Sequence, residues 1–367
     1  MSPATATAAA TIQSLVSLFG WRTPASEIEA VDAQVLELIR CHPDLADAVF
    51  EDVESLGGAA WRSDSTHIPT HTNGDSISLG ALCFRSRLPR SLIHLIDAGL
   101  VPVNAKPFGS ERVHPSNGWL SLEDSQSTLL GAALKRLAIP WSDTPSSDAL
   151  ESALRPYAEI FRSLIARGAS LELAALGKDS LIAYAWERRK DQFVAPIPRD
   201  VFDAMIDAGD PGLNTIPFRL DFKSPSRAPR YREDLFELFR HLVSRGMDLY
   251  GTHTEVDDAD FGFSPLEYAL ENPIALNPGD ATSYGVEMLI DAGVQLDGVA
   301  CRVFVDPPFG TATRVLPAIE AIALAFPNRP HVIASARAQA MRQAAGLDDA
   351  AVPTPSAGAL RRPRIAL

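Results

Sequence analysis

Four carboxylates, Glu255, Asp257, Asp258 and Asp260, crowd into six residues ahead of Gly262. A calcium loop supplies oxygen ligands from alternating carboxylates, with a glycine at the turn and a distal glutamate. Only Asp258, Asp260 and Gly262 fit that alternation, and Pro265 opens a helix soon afterwards. The expectation is therefore a solvated finger tip whose charge can meet Lys or Arg of a partner. His67 and His71 are four residues apart, as two metal ligands on one helical face would be, but Pro69 stands between them and no second ligand pair follows. No metal and no cofactor is expected.

Other short patterns also fall short of a reaction. Gly262-Phe263-Ser264-Pro265-Leu266 lacks the closing glycine of a nucleophile elbow, and Asp260-Phe261-Gly262 stands without the other kinase motifs. Neither a P-loop nor Gly-x-Gly-x-x-Gly is present to cradle phosphates. The chain is not expected to be an enzyme. Arg219, Lys223, Arg227, Arg230 and Arg232, interleaved with Phe218, Phe222 and Tyr231, form a basic stretch of the kind that meets nucleic acid. A net charge of −13 argues against that partner. Cys41, Cys83 and Cys301 lie far apart, each in or beside an apolar run, which suits buried small hydrophobes in a reducing, cytoplasmic setting. No apolar run reaches 18 residues, so no membrane insertion is expected.

What remains is binding. Aromatic residues that fall in loops either fold back over the core or anchor an interface. Trp61, Phe108, Trp119, Phe261 and Phe309 are the aromatic candidates. With Glu255, Asp257, Asp258 and Asp260 they make up the expected partner-binding set, and an acidic surface favours a basic protein partner.

The elements that would carry these loops come from one returning phrase. An apolar helical stretch ends in a small or charged pair and then glycine, as in Leu92-Ile93-His94-Leu95-Ile96-Asp97-Ala98-Gly99. It returns with glycines at Gly168, Gly209, Gly246 and Gly293, at intervals of 69, 41, 37 and 47 residues. Apolar residues at helical spacing give each copy one buried stripe, and glycine supplies the left-handed residue that ends it. A second, shorter helix precedes most copies: residues 77–83, 127–134, 180–186 and 264–270, rich in small side chains that let a neighbour approach. Ser127 and Ser264 are expected N-caps, with Pro265 at the first helical position. Trp186, Leu181, Ile96 and Leu289 lie on stripes and are expected core residues.

This two-part unit resembles an ankyrin repeat, whose first helix opens with Thr-Pro-Leu-His-x-Ala. Ser264-Pro265-Leu266-Glu267-Tyr268-Ala269 keeps Pro, Leu and Ala, with Ser in place of Thr and Glu in place of His. Gly99-Leu100-Val101-Pro102-Val103-Asn104 and Gly246-Met247-Asp248-Leu249-Tyr250-Gly251 resemble the usual exit to the next unit. The resemblance implies an all-α solenoid of about seven stacked helix pairs over residues 25–346, longer than the usual unit because of inserted finger loops. It implies partner binding through the fingers and the concave face. Residues 1–24 are expected to be a flexible N-terminal segment and the start of the first helical unit, 27–40 the second helix of that unit, 298–314 a finger, 315–326 and 331–345 a last helix pair, and 347–367 a disordered tail. Residues 211–230 show no clear first helix. The functional expectation is a module that neutralises a basic protein such as a toxin. The alternative is an effector carried into another cell to recruit a protein there.

Overall fold

A computed structural model of the chain describes residues 2–17, 19, 23–51, 76–105, 128–138, 147–174, 180–189, 197–220, 232–251, 263–275, 282–304 and 313–347. The chain divides into two compact units, Met1–Ala185 with Phe193–Asp210, and Trp186–Gln192 with Pro211–Leu367.

The first unit opens on helix α1 (Pro3–Ser17), where a flexible tail was expected. Thr5, Ala8, Ile12 and Val16 recur every three or four residues and are all buried, so an Ala/Thr-rich start still has one apolar stripe to pack on α2 (Ala25–Cys41). Strand β1 (Val49–Glu51) pairs antiparallel with β2 (Ser76–Ser78), and Phe50 faces Ile77 across the pair. Three helix pairs follow: α3 (Leu79–Arg85) with α4 (Pro89–Asp97), α5 (Leu129–Leu137) with α6 (Ser147–Ala166), and, after the short α7 (Leu171–Ala174), α8 (Leu181–Arg189) with α9 (Arg199–Asp207). The second members lie side by side in chain order, α2 against α4, α4 against α6 and α6 against α9. Small residues permit close approach: a Cβ on Gly80 of α3 would fall 2.7 Å from Val101.

The second unit repeats the scheme. A 3-10 helix, Pro211–Phe218, stands where no first helix was legible, and α10 (Arg232–Ser244) follows. Next come α11 (Pro265–Ala275) with α12 (Tyr284–Asp291), then β3 (Ala300–Phe304) paired antiparallel with β4 (Thr313–Pro317), and then α13 (Ala318–Ala325) with α14 (Pro330–Ala344). Again α10, α12 and α14 pack in order. Trp186, the residue of α8 that opens this unit, is wholly buried against Phe239, its indole N–H donating to the Arg219 carbonyl at 3.2 Å.

The described residues are thus mostly helical, as the expected helical class requires, with two short two-stranded sheets that were not expected. The helix expected over 315–326 begins only at Ala318, because Thr313–Pro317 pair with β3 in register Cys301↔Leu316 and Pro317 fixes the backbone just before the helix. The expected cap at Ser127 is supplied by Thr128, whose Oγ1 accepts from the Gly131 N–H at 3.4 Å; Ser127 lies outside the described residues. Ile96 is half-buried rather than core, because Leu92 and Leu95 carry the stripe of α4.

The glycine phrase has one geometry throughout. Gly99, Gly168, Gly209, Gly246 and Gly293 all have φ between +72° and +101°, and Gly346 at +65° adds a sixth copy that the sequence reading did not include. At each, the glycine N–H bonds back three residues and the next N–H bonds back five, as Gly99 to Ile96 and Leu100 to Leu95, both at 2.9 Å. This is the Schellman ending, which satisfies carbonyls left open by the helix.

Gly285 is constrained differently. It lies in α12, and a Cβ there would sit 2.6 Å from the Leu220 carbonyl oxygen. Glycine to alanine inside a helix ordinarily gains about 1 kcal/mol. Here Gly285→Ala is expected to lose about 2 kcal/mol through overpacking against backbone. A chemical-denaturation midpoint higher than wild type would contradict this packing.

Candidate functional site

The expected binding set lies outside the described residues. That holds for Trp61, Phe108 and Trp119, for Phe261 and Phe309, and for Glu255, Asp257, Asp258 and Asp260. The basic stretch is split: Arg219 and Arg232 are described, while Lys223, Arg227 and Arg230 are not. The tail from 348 onwards and His67 and His71 are likewise outside. Among the described residues no group of three or more His, Cys, Asp or Glu could hold a metal ion, and no helix is long and apolar enough to cross a membrane.

Three kinds of polar side chain stand out among the described residues. The first is carboxylates that bind backbone. Asp32, on α2, is 1% exposed and accepts from the Arg90 N–H at 2.8 Å and the Ser91 N–H at 2.9 Å, with the Ser91 hydroxyl at 2.6 Å. It thereby caps α4, whose own N-cap residue, Leu88, has no side-chain acceptor. Asp210 does the same for α8, accepting from Leu181 N–H at 3.1 Å. Glu267 closes a capping box: its Oε2 accepts from Ser264 N–H at 2.8 Å while Ser264 Oγ accepts from Glu267 N–H at 3.3 Å. Its other oxygen takes the Arg302 N–H at 2.8 Å and Nε–H at 3.1 Å, and the Arg302 guanidinium lies 4.9 Å from the Phe263 ring centre. Burial pushes the Glu267 carboxyl up, but hydrogen bonds from Arg302 and from the Ser264 and Arg302 amides, with the Arg302 charge, hold it below its usual value. A carboxylate whose oxygens are committed to fixed donors is a joint rather than a general base.

The second kind is amides that link successive helix endings. Asn104 stands five residues after Gly99, and its Oδ1 accepts from the N–H of Ser170, two residues after Gly168, at 2.9 Å. Asn214 stands five residues after Gly209, and its Oδ1 accepts from the N–H of Asp248, two after Gly246, also at 2.9 Å. The same bond at the same offsets occurs once in each unit. Gln343 plays a related part, accepting from Leu296 N–H at 2.8 Å and donating to the Val294 carbonyl at 2.9 Å.

The third kind is cations. Arg87 ends α3 in the left-handed region, φ +60°, the only described non-glycine residue there. Its turn makes the same two bonds as the glycine endings, Leu88 N–H to Cys83 O at 2.9 Å and Arg87 N–H to Phe84 O at 3.2 Å. An arginine in place of glycine costs roughly 1 kcal/mol. Its side chain is buried, and burial lowers its pKa. Arg85 is pushed down to about 10, by burial first and then by the like charge of Arg136 on α5. The Tyr157 hydroxyl of α6 donates to the Arg85 carbonyl at 3.5 Å, its ring 5.7 Å from that of Phe84. Sequence reading missed this group because its one signal, a helix that ends before Pro89 without a glycine, looks like any turn.

The cysteines agree with their expected packing role at two positions. Burial, reinforced by Asp32, pushes the Cys83 thiol far up, and burial with Glu267 pushes Cys301 up to about 12. Cys41 is exposed, on the outer face of α2.

No family model matches the sequence, and neither a curated protein nor a solved structure matches the chain.

Proposed function

We propose that the chain is a protein-binding module built as an ankyrin-like solenoid, whose acidic and aromatic fingers engage and neutralise a basic protein such as a toxin. The observation that supports this reading most is the recurrence of one helix ending. Six second helices close with the same pair of hydrogen bonds, and in each unit second helices pack in chain order. Stacked repeats of this kind bury one continuous stripe and leave their inserted loops free to vary, so the scaffold is uniform and recognition resides in the fingers. The buried carboxylates fit that division of labour, since each holds backbone in place.

The test is affinity purification of the tagged chain from its native cells, with bound proteins identified by mass spectrometry. A stoichiometric basic partner is expected, and the triple substitution Asp257→Lys, Asp258→Lys and Asp260→Lys is expected to lower its affinity at least tenfold, since like charges now face each other. Unchanged affinity in the triple variant would refute the acidic-finger reading.

A further inference from the structure

Second helices pack in chain order within each unit, α2 on α4 and α4 on α6 in the first, and α10, α12 and α14 in the second. No described helix follows α14, and its outer side is bare. Opposite the buried Val332, Ala336 and Ala340 lie Ala334, Ala338, Met341 and Ala345, one row at spacings of four, three and four residues. Met341 is 66% exposed there, and Arg337 and Arg342 flank the row. A helix that ends a stack ordinarily turns a polar face to water. Here Val315, Leu324, Met341 and Leu347, four of the seven large apolar side chains exposed among the described residues, all fall within residues 313–347. The same span holds four arginines against the single Glu320, in a chain of net charge −13, and Arg314, Arg329 and Arg337 make no ion pair among the described residues. Basic edges around an apolar row call for a counterpart with small side chains and acidic edges. They also exclude α14 from pairing with the α14 of another copy, where arginines would face arginines.

α2 has the matching face. Asp32 ties one side of it to α4. The opposite side carries Ala30, Gln34, Glu37 and Cys41, all exposed, at the same spacings of four, three and four residues. Glu27, Glu29, Glu37, Asp44 and Asp47 are exposed in this segment against the single Arg40, and none makes an ion pair among the described residues. Two rows of equal spacing with small residues let helices approach closely. α2 is also a second helix, so placing it on α14 continues across two copies the contact that α12 makes with α14.

We propose that the chain self-associates head to tail, the bare basic and apolar face of α14 in one copy receiving the acidic outer face of α2 in the next. Such an interface is heterologous: each added copy still offers a free α2 or α14, so assembly continues past a symmetric dimer. The inference rests on the packing order of the second helices and is independent of the toxin-binding reading.

Sedimentation velocity of the full chain at low salt, where surface charges are least screened, tests it. The average mass is expected to rise past that of a dimer over the micromolar range. Arg337→Glu and Glu37→Arg should each weaken association at least tenfold, because like charges then meet, while Arg155→Glu on α6 leaves it unchanged. All three side chains are exposed, so the variants should melt as wild type does. A mixture of Arg337→Glu and Glu37→Arg should associate again, since every contact in an alternating chain then joins opposite charges. Cys41 locates the interface, because Cys83 and Cys301 are buried. In Ala345→Cys a short bismaleimide should join Cys41 of one copy to the new thiol of the next and give a ladder of dimers and larger species, which wild type does not form. The proposal is overturned by a chain that stays monomeric, by association that stops at a Cys41-to-Cys41 dimer, by cross-links confined to monomers, or by a mixture of the two charge variants that fails to associate.

Discussion

Glu267→Gln is expected to lower the stability of the second unit by about 3 kcal/mol at neutral pH, the scale for removing one partner of a buried ion pair. One carboxylate does three tasks there: it closes the capping box of α11, takes the backbone N–H of Arg302 in β3, and balances the Arg302 guanidinium. The amide keeps an acceptor but turns an NH2 group toward donors and removes the charge that Glu267 sets against Arg302, about a quarter exposed. Replacing both residues by Met should cost less than either single change, because no charge is then stranded. The effect depends on pH with a defined sign. The folded carboxyl titrates below its ordinary 4.5, so its contribution is complete above that value and disappears as pH falls through the folded pKa. Wild type and Glu267→Gln should therefore differ at pH 7 and converge on acidification. Cys301 reports the same event locally. Its thiol is buried beside Glu267, so native-state alkylation should speed up in the variant as β3 opens more often. An unchanged alkylation rate would show that β3 is held by its own ladder rather than by Glu267.

Much of this was legible in the sequence, and for a specific reason. Helix endings are local: Gly99, Gly168, Gly209, Gly246 and Gly293 could each be read from an apolar stripe followed by glycine, and each adopts the same turn. Ser264 and Pro265 were legible on the same grounds, although Glu267 was seen only as a departure from a motif, not as the residue that completes the cap. Strands β1 to β4 were hidden because three to five residues carry too little alternation to stand out from a loop. α1 was hidden by its composition, since alanine and threonine blur the stripe that Ile12 and Val16 define. The joints were hidden for a different reason. Asn104, Asp32 and Asp210 act on backbone 66, 58 and 29 residues away, and nothing near them in the chain marks the target. Arg87 was hidden as well, because no glycine marks its left-handed backbone angle.

Asp32→Ala should be the most damaging single change in the first unit, lowering its stability by about 4 kcal/mol, because it strands the buried Ser91 N–H and the part-buried Arg90 N–H, while the Ser91 hydroxyl keeps the backbone carbonyl of residue 32 as acceptor at 3.1 Å. The position also places a negative charge at the N-terminus of α4, where the helix dipole rewards it. Two controls separate these contributions. Asp32→Asn keeps the shape and one acceptor but loses the charge and presents NH2 to an N–H donor, so about half the loss is expected. Ser91→Ala removes only the hydroxyl and should cost about 1 kcal/mol. The order Ala, Asn, then Ser91→Ala follows from the number of donors left unsatisfied; an order set by side-chain volume would put Ser91→Ala much nearer to Asp32→Ala. Cys83 gives the readout for this unit as Cys301 does for the other. It is wholly buried, and Asp32 contributes to raising its pKa, so in a Cys41→Ser background its alkylation by a neutral thiol reagent follows opening of the unit. Asp32→Ala should accelerate modification of Cys83 about a thousandfold, the population change that corresponds to 4 kcal/mol when reclosing is faster than reaction. Modification of Cys301 is the complementary measurement, because its rate records whether the loss of this one cap stays within the first unit or is transmitted to the second.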